Sequence, residues 1–306
     1  MNILVIGAGA VGSVLGMALG RDHEVTVCVR PARVDACVRE GIRLEGAVQA
    51  HFHPRCVSSP PPSSGDDYDM IMIATKAYDT EEAAIAAAPL VNERSIVVSV
   101  QNGMNNLDIL TREFGDRAVI GVTTMGATKL QGGAVRLVSR GRTLVGSPTG
   151  RSDLAERVAD ALRSGGLEAE AVPDIRREVW FKAVINASIN PLASLTGCPN
   201  GHLLRHPHLT ELSKMCCLEA ARAAGRNGIE LPADLFEKVE EVIARTGENR
   251  CSMLQDLESG RRTEVDQITG SLVAAGEAKG AGMMINRALW SLVRQAEGRP
   301  LPARSA

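Results

Sequence analysis

The chain has 306 residues, of which 23% are charged, with a formal net charge of -2. That is enough chain for roughly two domains at about 150 residues each, and the balance excludes a disordered chain and a basic nucleic-acid coat. Aromatic residues make up only 3%, which argues against base-stacking platforms.

Taken in order, residues 2–6 form an apolar run ending in glycine and predict a buried strand, and residues 11–19 predict a helix. Strands are expected over 24–29, 69–74, 95–100 and 118–122, with an alanine-rich helix over 80–88. Strands alternating with helices predict a parallel sheet covered on both faces. Short runs at 135–138 and 143–145 suggest an antiparallel edge. Residues 58–67, with three prolines, read as an exposed loop inside this first domain. The texture changes near Val172-Pro173-Asp174, beyond which strand signals vanish and helices are expected over 178–195, 209–224, 233–245, 267–278 and 287–295. The expected architecture is an α/β domain over 1–172 followed by an all-helical domain over 173–306.

Two uncharged stretches need a reading. Residues 1–20 lack the basic leading region of a signal peptide, and residues 183–204 are broken by Asn186, Asn190, Pro191, Pro199, Asn200 and Gly201. Neither reads as a membrane span. Cys28, Cys37, Cys56, Cys198, Cys216, Cys217 and Cys251 contain no C-x-x-C spacing. Reduced, mostly buried thiols in a cytoplasmic protein are the expectation. His202, His206 and His208 read as loop residues near a helix start, and no metal site is expected.

Gly7-Ala8-Gly9-Ala10-Val11-Gly12 is G-x-G-x-x-G placed between a strand and a helix. The first glycine permits a tight turn, the second a close backbone approach to a pyrophosphate, and the third close helix–strand packing. The free N–H groups of the helix start favour phosphate. The first domain therefore reads as Rossmann-like and dinucleotide-binding. At the end of the second strand, Val27-Cys28-Val29-Arg30 carries a guanidinium where an NAD site would carry a carboxylate. Arg30, with Arg33 close by, suits a 2′-phosphate and favours NADP(H) over NAD(H). The alternative is a solvated surface cation. Lys76, in Thr75-Lys76-Ala77-Tyr78, and Asn102, in Gln101-Asn102-Gly103, follow the third and fourth strands at the edge where ligands bind. An Asn-Gly pair also suits a turn for purely conformational reasons.

In the helical part, Lys182, Asn186 and Asn190 recur at every fourth position in a largely apolar stretch. They lie along one helical face, drifting about 40° per step. Such polar groups need partners, since unsatisfied burial costs roughly 1–3 kcal/mol each. The alternatives are a ligand and a solvated stripe. The segment from Cys251 and Ser252 to Glu264 reads by itself as a polar loop before a capped helix, with Glu264 as a first-turn carboxylate.

These motifs together resemble the ketopantoate reductase family (2-dehydropantoate 2-reductase) over nearly the whole chain. The likeness is carried by the glycine motif, Arg30, T-K-A-Y-D-T at 75–80, Q-N-G at 101–103, G-V-T-T at 121–124 and W-F-K-A-V-I-N-A-S-I-N-P-L at 180–192. It continues through C-P-N-G at 198–201 and S-M-L-Q-D with G-R-x-T-E between 252 and 264. Cys251 departs from the pattern, where many relatives carry a serine. The resemblance implies NADPH-dependent reduction of 2-dehydropantoate to (R)-pantoate, toward pantothenate and coenzyme A. It implies Lys182 as general acid, and Asn186, Asn190, Ser252 and Glu264 as substrate-binding. Asn102 would serve both substrate and cofactor, and Gly7, Ala8, Gly9, Ala10, Val11, Gly12, Arg30 and Lys76 the cofactor. The implied partner is a small 2-oxo acid, with no nucleic acid or membrane, in a monomer or homodimer. The competing readings are a relative acting on another 2-oxo acid and a non-catalytic NADP-binding sensor.

Overall fold

The computed structural model describes residues 1–60, 68–130 and 132–298. Of the loop expected over 58–67, residues 61–67 lie outside the described residues. The chain divides into two compact units: Met1–Gln101 with Asn105–Arg176, and Asn102–Met104 with the chain from Arg177 onward.

The first unit runs β1 (Asn2–Ile6), α1 (Ala10–Leu19), β2 (Glu24–Cys28), α2 (Val34–Glu40), β3 (Ile42–Gly46), β4 (Ala50–Phe52), β5 (Arg55–Val57), β6 (Met70–Ile73), α3 (Thr80–Ala87) and β7 (Ile96–Ser99). It continues through α4 (Asn105–Phe114), β8 (Ala118–Thr123), β9 (Gly126–Lys129), β10 (Val135–Ser139), β11 (Arg142–Gly146), α5 (Ser152–Ser164) and β12 (Glu168–Ala171). An eight-stranded sheet has the order β12-β11-β8-β7-β6-β1-β2-β5. Its central strands are apolar on both faces, as parallel strands covered by helices must be: every residue of β6 and β7 is buried. β1 pairs in parallel with β2 on one side and β6 on the other, so chain order reverses there. The carboxyl ends of β1, β2, β6 and β7 thus open on one edge, the position for a ligand.

The runs at 135–138 and 143–145 do not form one antiparallel edge. β11 joins the main sheet antiparallel to β8, whereas β10 belongs to a second, four-stranded sheet of order β4-β3-β10-β9. Gly141 separates them at φ +58°, a left-handed turn that lets the chain leave one sheet for the other. Cys37 of α2 and Cys56 of β5 are joined in a disulfide, which corrects the expectation of reduced thiols for this pair. Cys28, Cys198, Cys216, Cys217 and Cys251 are free and buried.

The second unit contains α6 (Ile175–Thr196, whose first two residues belong to the first unit), α7 (His202–Arg205), α8 (Pro207–Arg226), α9 (Leu235–Arg245) and α10 (Ser252–Glu258). A π turn over Asp266–Gly270 leads into α11 (Ser271–Ala278), and α12 (Met284–Ala296) follows. Small residues let the helices approach: Ala187, Cys216, Cys217, Ala220 and Ala224 are all fully buried in one core. Ser213 Oγ donates to the Ser188 carbonyl at 3.0 Å, tying α8 to α6. Glu219, though buried, is satisfied at the start of α12, where it accepts from the Ile285 and Asn286 N–H groups at 3.1 and 2.8 Å. His202 opens α7 and His208 lies in α8, so both are helical rather than loop residues. No described helix is long and apolar enough to cross a membrane.

Candidate functional site

In the first unit the three glycines of the motif do separable jobs. Gly7 adopts φ +106°, and a Cβ there would lie 2.7 Å from the Thr75 backbone nitrogen. A Cβ on Gly12 would collide with the Gly7 carbonyl oxygen, so α1 packs against the strand end only without one. At Gly9, by contrast, the atom nearest to such a Cβ would be the Ala74 carbonyl oxygen, 3.8 Å away, leaving the backbone open to a close-approaching group. Gly9 is the N-cap of α1 and has no side-chain cap, so the first N–H groups of the helix are left for a ligand.

Arg30 follows β2 and is exposed, with Arg33 two residues beyond Pro31. Lys76 is half-buried in the loop after β6. That loop is braced by Gln101, whose Nε2 donates to the Thr75 carbonyl at 3.1 Å, to Thr75 Oγ1 at 3.0 Å and to the Lys76 carbonyl at 3.3 Å. Ser99 Oγ in turn donates to Gln101 Oε1 at 2.9 Å. Gln101 therefore fixes the backbone from which Lys76 projects, a role its place in Q-N-G does not reveal.

The second unit holds the other cluster. Lys182, Asn186 and Asn190 lie on α6 at the spacing that puts them on one face. Pro191 sits inside this helix and cannot donate to the carbonyl one turn back, which locally opens the ladder beside Asn190. Burial pushes the Lys182 ammonium down to about 8, against an opposing pull from the nearby Glu264 carboxylate. Asn186 and Asn190 have no side-chain hydrogen bond to another described residue. The residual backbone of Asn190 is held by Cys251, whose thiol donates to the Asn190 carbonyl at 3.7 Å. Cys251 also caps α10, accepting from the Leu254 N–H at 3.4 Å. The segment expected as a loop after Cys251 is thus a short helix, with Ser252 exposed at its first position.

Glu264 is 6% exposed and accepts a hydrogen bond from Asn102 Nδ2 at 3.2 Å. Its carbonyl accepts from the Gln267 and Ile268 N–H groups, so it does open a helical turn. Its side chain nevertheless turns to Asn102 and lies within reach of the Lys182 charge. The conformational reading of the Asn-Gly pair is realised. Gly103 takes φ +97° and its Cβ position lies 2.9 Å from the Gln267 carbonyl oxygen, while the Asn102 side chain is aimed at Glu264. Met104 N–H donates to that same Gln267 carbonyl at 3.0 Å, fastening the segment 102–104 to the π turn. Asn200, within C-P-N-G, carries no sequence signal for a role of its own. It is buried, its Nδ2 donates to Thr246 Oγ1 at 2.9 Å, and its Oδ1 has no hydrogen-bond partner among the described residues.

The cluster offers an ammonium of lowered basicity, a buried carboxylate and amide donors. These suit protonation of a developing oxyanion beside a hydroxyl-bearing chain.

Residues 3–150 match the family Ketopantoate reductase PanE/ApbA, and residues 174–297 match Ketopantoate reductase PanE/ApbA C terminal. The chain is 39% identical over 298 residues to the 2-dehydropantoate 2-reductase of Archaeoglobus fulgidus, covering 97% of this chain and 98% of that protein. It is 32% identical over 299 residues to the enzyme of the same name from Pyrococcus horikoshii, covering 97% and 98%. Among solved structures, a PanE/ApbA family ketopantoate reductase from Ralstonia eutropha superposes with a TM-score of 0.89 at 29% identity, covering 97% of this chain and 99% of the other. A D-mandelate dehydrogenase with NADH and anilino(oxo)acetate gives 0.91 at 25% identity, covering 97% and 99%.

Proposed function

The chain belongs to the ketopantoate reductase PanE/ApbA family, and from that membership we propose that it reduces 2-dehydropantoate to (R)-pantoate with NADPH. The observation that carries this reading is the pairing of a desolvated Lys182 with the buried Glu264–Asn102 contact on one helical scaffold. In this reading residues 1–172 bind the cofactor and residues 173–306, with Asn102, supply the substrate side.

The loop residues fit a dinucleotide: Gly7 and Gly12 are places where no Cβ is tolerated, and Gly9 leaves the helix start open. Gly7, Ala8, Gly9, Ala10, Val11 and Gly12 would hold the pyrophosphate, Arg30 the 2′-phosphate, and Lys76 and Asn102 the nicotinamide side. When bound, NADPH supplies the hydride for the ketone carbon. Lys182 stabilises the negative charge that grows on the ketone oxygen and gives it a proton. Asn186, Asn190 and Ser252 donate to the substrate carboxylate and carbonyl. Glu264 accepts a hydrogen bond from the hydroxyl that separates 2-dehydropantoate from plain 2-oxo acids.

The deciding experiment follows NADPH oxidation with 2-dehydropantoate beside 2-oxoisovalerate and the 2-oxo acid of mandelate. Preference for 2-dehydropantoate is expected. Preference for the mandelate-type acid would move the chain to the reaction of its D-mandelate dehydrogenase neighbour. We place the protein in the cytoplasm, as a monomer or homodimer.

Two outcomes test the parts. Arg30→Ala should weaken NADPH binding by roughly 1.5–3 kcal/mol, the scale of a charge-assisted hydrogen bond, and leave NADH nearly unchanged. Equal losses for both cofactors, measured by fluorescence titration, would remove Arg30 from the 2′-phosphate.

The pH dependence has a definite sign. Lys182 acts as an acid in ketone reduction, so it must be protonated, and its amino group is held at about 8. The kcat/KM for reduction should be full below that pH and fall above it. The reverse oxidation needs the neutral amine and should rise through the same range. Profiles in both directions that run parallel would contradict the assignment.

A further inference from the structure

Lys129 belongs to no motif in the sequence. It is the last residue of β9, in the second sheet, and its Nζ donates to the Ala8 carbonyl of the glycine loop at 2.9 Å. Its ammonium therefore stands on the cofactor loop, 121 residues away in the chain. Arg33 and Arg30, past the end of β2, are near enough for their charges to act on it. Arg33 lies over Gly133 in the turn after β9, where a Cβ would run into the guanidinium. Gly133 takes φ +96° there.

The charges do not balance internally. No carboxylate among the described residues pairs with Lys129, Arg30 or Arg33. Burial, then the fields of Arg33 and Arg30, hold the Lys129 ammonium below its ordinary value. Three solvent-exposed cations near one another repel, and an anion bound among them relieves that repulsion. A phosphate monoester carries up to two negative charges and three acceptor oxygens, enough to engage all three. The pyrophosphate has its own donors at the start of α1, whereas Lys129 is coupled to the arginines that follow β2, where the ribose edge is read.

We propose that Lys129 is a ligand of the cofactor's 2′-phosphate, acting with Arg30 and Arg33 and contributing to the choice of NADPH over NADH. This rests on the NADPH reading given above. The second sheet then does more than cover α1: through the end of β9 it takes part in selecting the cofactor.

Calorimetric titration with adenosine 2′,5′-bisphosphate and with 5′-AMP tests it without turnover. Wild type should bind the bisphosphate more tightly than 5′-AMP. Lys129→Met, which keeps the length of the side chain, should weaken the bisphosphate about tenfold or more and 5′-AMP less than about twofold, because only the charge-assisted bond is lost. Lys129→Arg should recover most of the difference. Equal weakening of both ligands, or no weakening of either in folded Lys129→Met, overturns the assignment. Wild type that fails to distinguish the two ligands would instead overturn the NADPH reading beneath it.

Discussion

Lys182→Ala is expected to lower turnover of 2-dehydropantoate by about 10²–10⁴-fold, the usual contribution of general acid catalysis. NADPH binding should change by less than about twofold, because in the proposed role the group acts on the ketone oxygen only as charge develops there. The residue is suited to that role because burial brings its acidity close to the working pH, to about 8, while the Glu264 carboxylate favours the charged form. Lys182→Arg separates the two parts of the role. A guanidinium keeps the positive charge but does not give up a proton at any ordinary pH, so it should restore some stabilisation and little proton transfer. Single-turnover decay of NADPH absorbance, beside equilibrium binding, measures both quantities. Near-normal turnover of Lys182→Ala at saturating substrate would take Lys182 out of the chemistry.

The second large effect concerns selectivity. In wild type, kcat/KM for 2-dehydropantoate over 2-oxoisovalerate should show strong discrimination, which reaches about 10⁴–10⁵ when a buried polar group is left unpaired by the wrong substrate. Glu264→Ala should collapse that ratio. The neighbourhood of Glu264 makes the ratio, rather than either rate, the right quantity. Its carboxylate also supports the Lys182 charge and accepts from Asn102. Loss of those two contributions slows both substrates alike and cancels in the ratio, leaving the hydroxyl contact as the difference. If Glu264 matters only as the residue that opens a helical turn, its removal should cost about 0.3–1 kcal/mol of stability and leave the ratio intact. Kinetics on both acids, with thermal unfolding as the check on folding, distinguishes the cases.

What was legible in the sequence follows from what each element has to bury. β1, β6 and β7 are covered on both faces, so they stand out as nearly continuous apolar runs, and β2, reading EVTVC, is marked by its β-branched residues. α6 carries its polar stripe through apolar surroundings, and the spacing of Lys182, Asn186 and Asn190 alone puts them on one helical face. The second sheet was not legible because its strands are short and half-exposed: Ile42–Gly46 reads IRLEG and Gly126–Lys129 reads GATK. Its parallel pairing of β10 with β3 joins distant stretches with no local signal. α10 was missed for a different reason. It is only seven residues long and its cap is Cys251, a residue that does not ordinarily mark a helix start. The disulfide between Cys37 and Cys56 likewise left no spacing motif to read. The proximity of Glu264 to Lys182 and Asn102 belongs to the tertiary fold, and only the family resemblance had linked these positions beforehand.

The bond from Met104 to Gln267 bears on how this protein can be dissected. The chain leaves its first unit after Gln101, contributes Asn102–Met104 to the second, and returns at Asn105. A cut near residue 173 in the gene therefore does not separate two self-sufficient pieces. A fragment starting there would carry Glu264 without the amide that donates to it, and Gln267 without the backbone N–H that its carbonyl accepts. The other fragment would keep a three-residue excursion with nothing to dock against. Chimaeras that exchange the helical half between relatives inherit the same constraint, and should carry residues 102–104 with the half to which they belong.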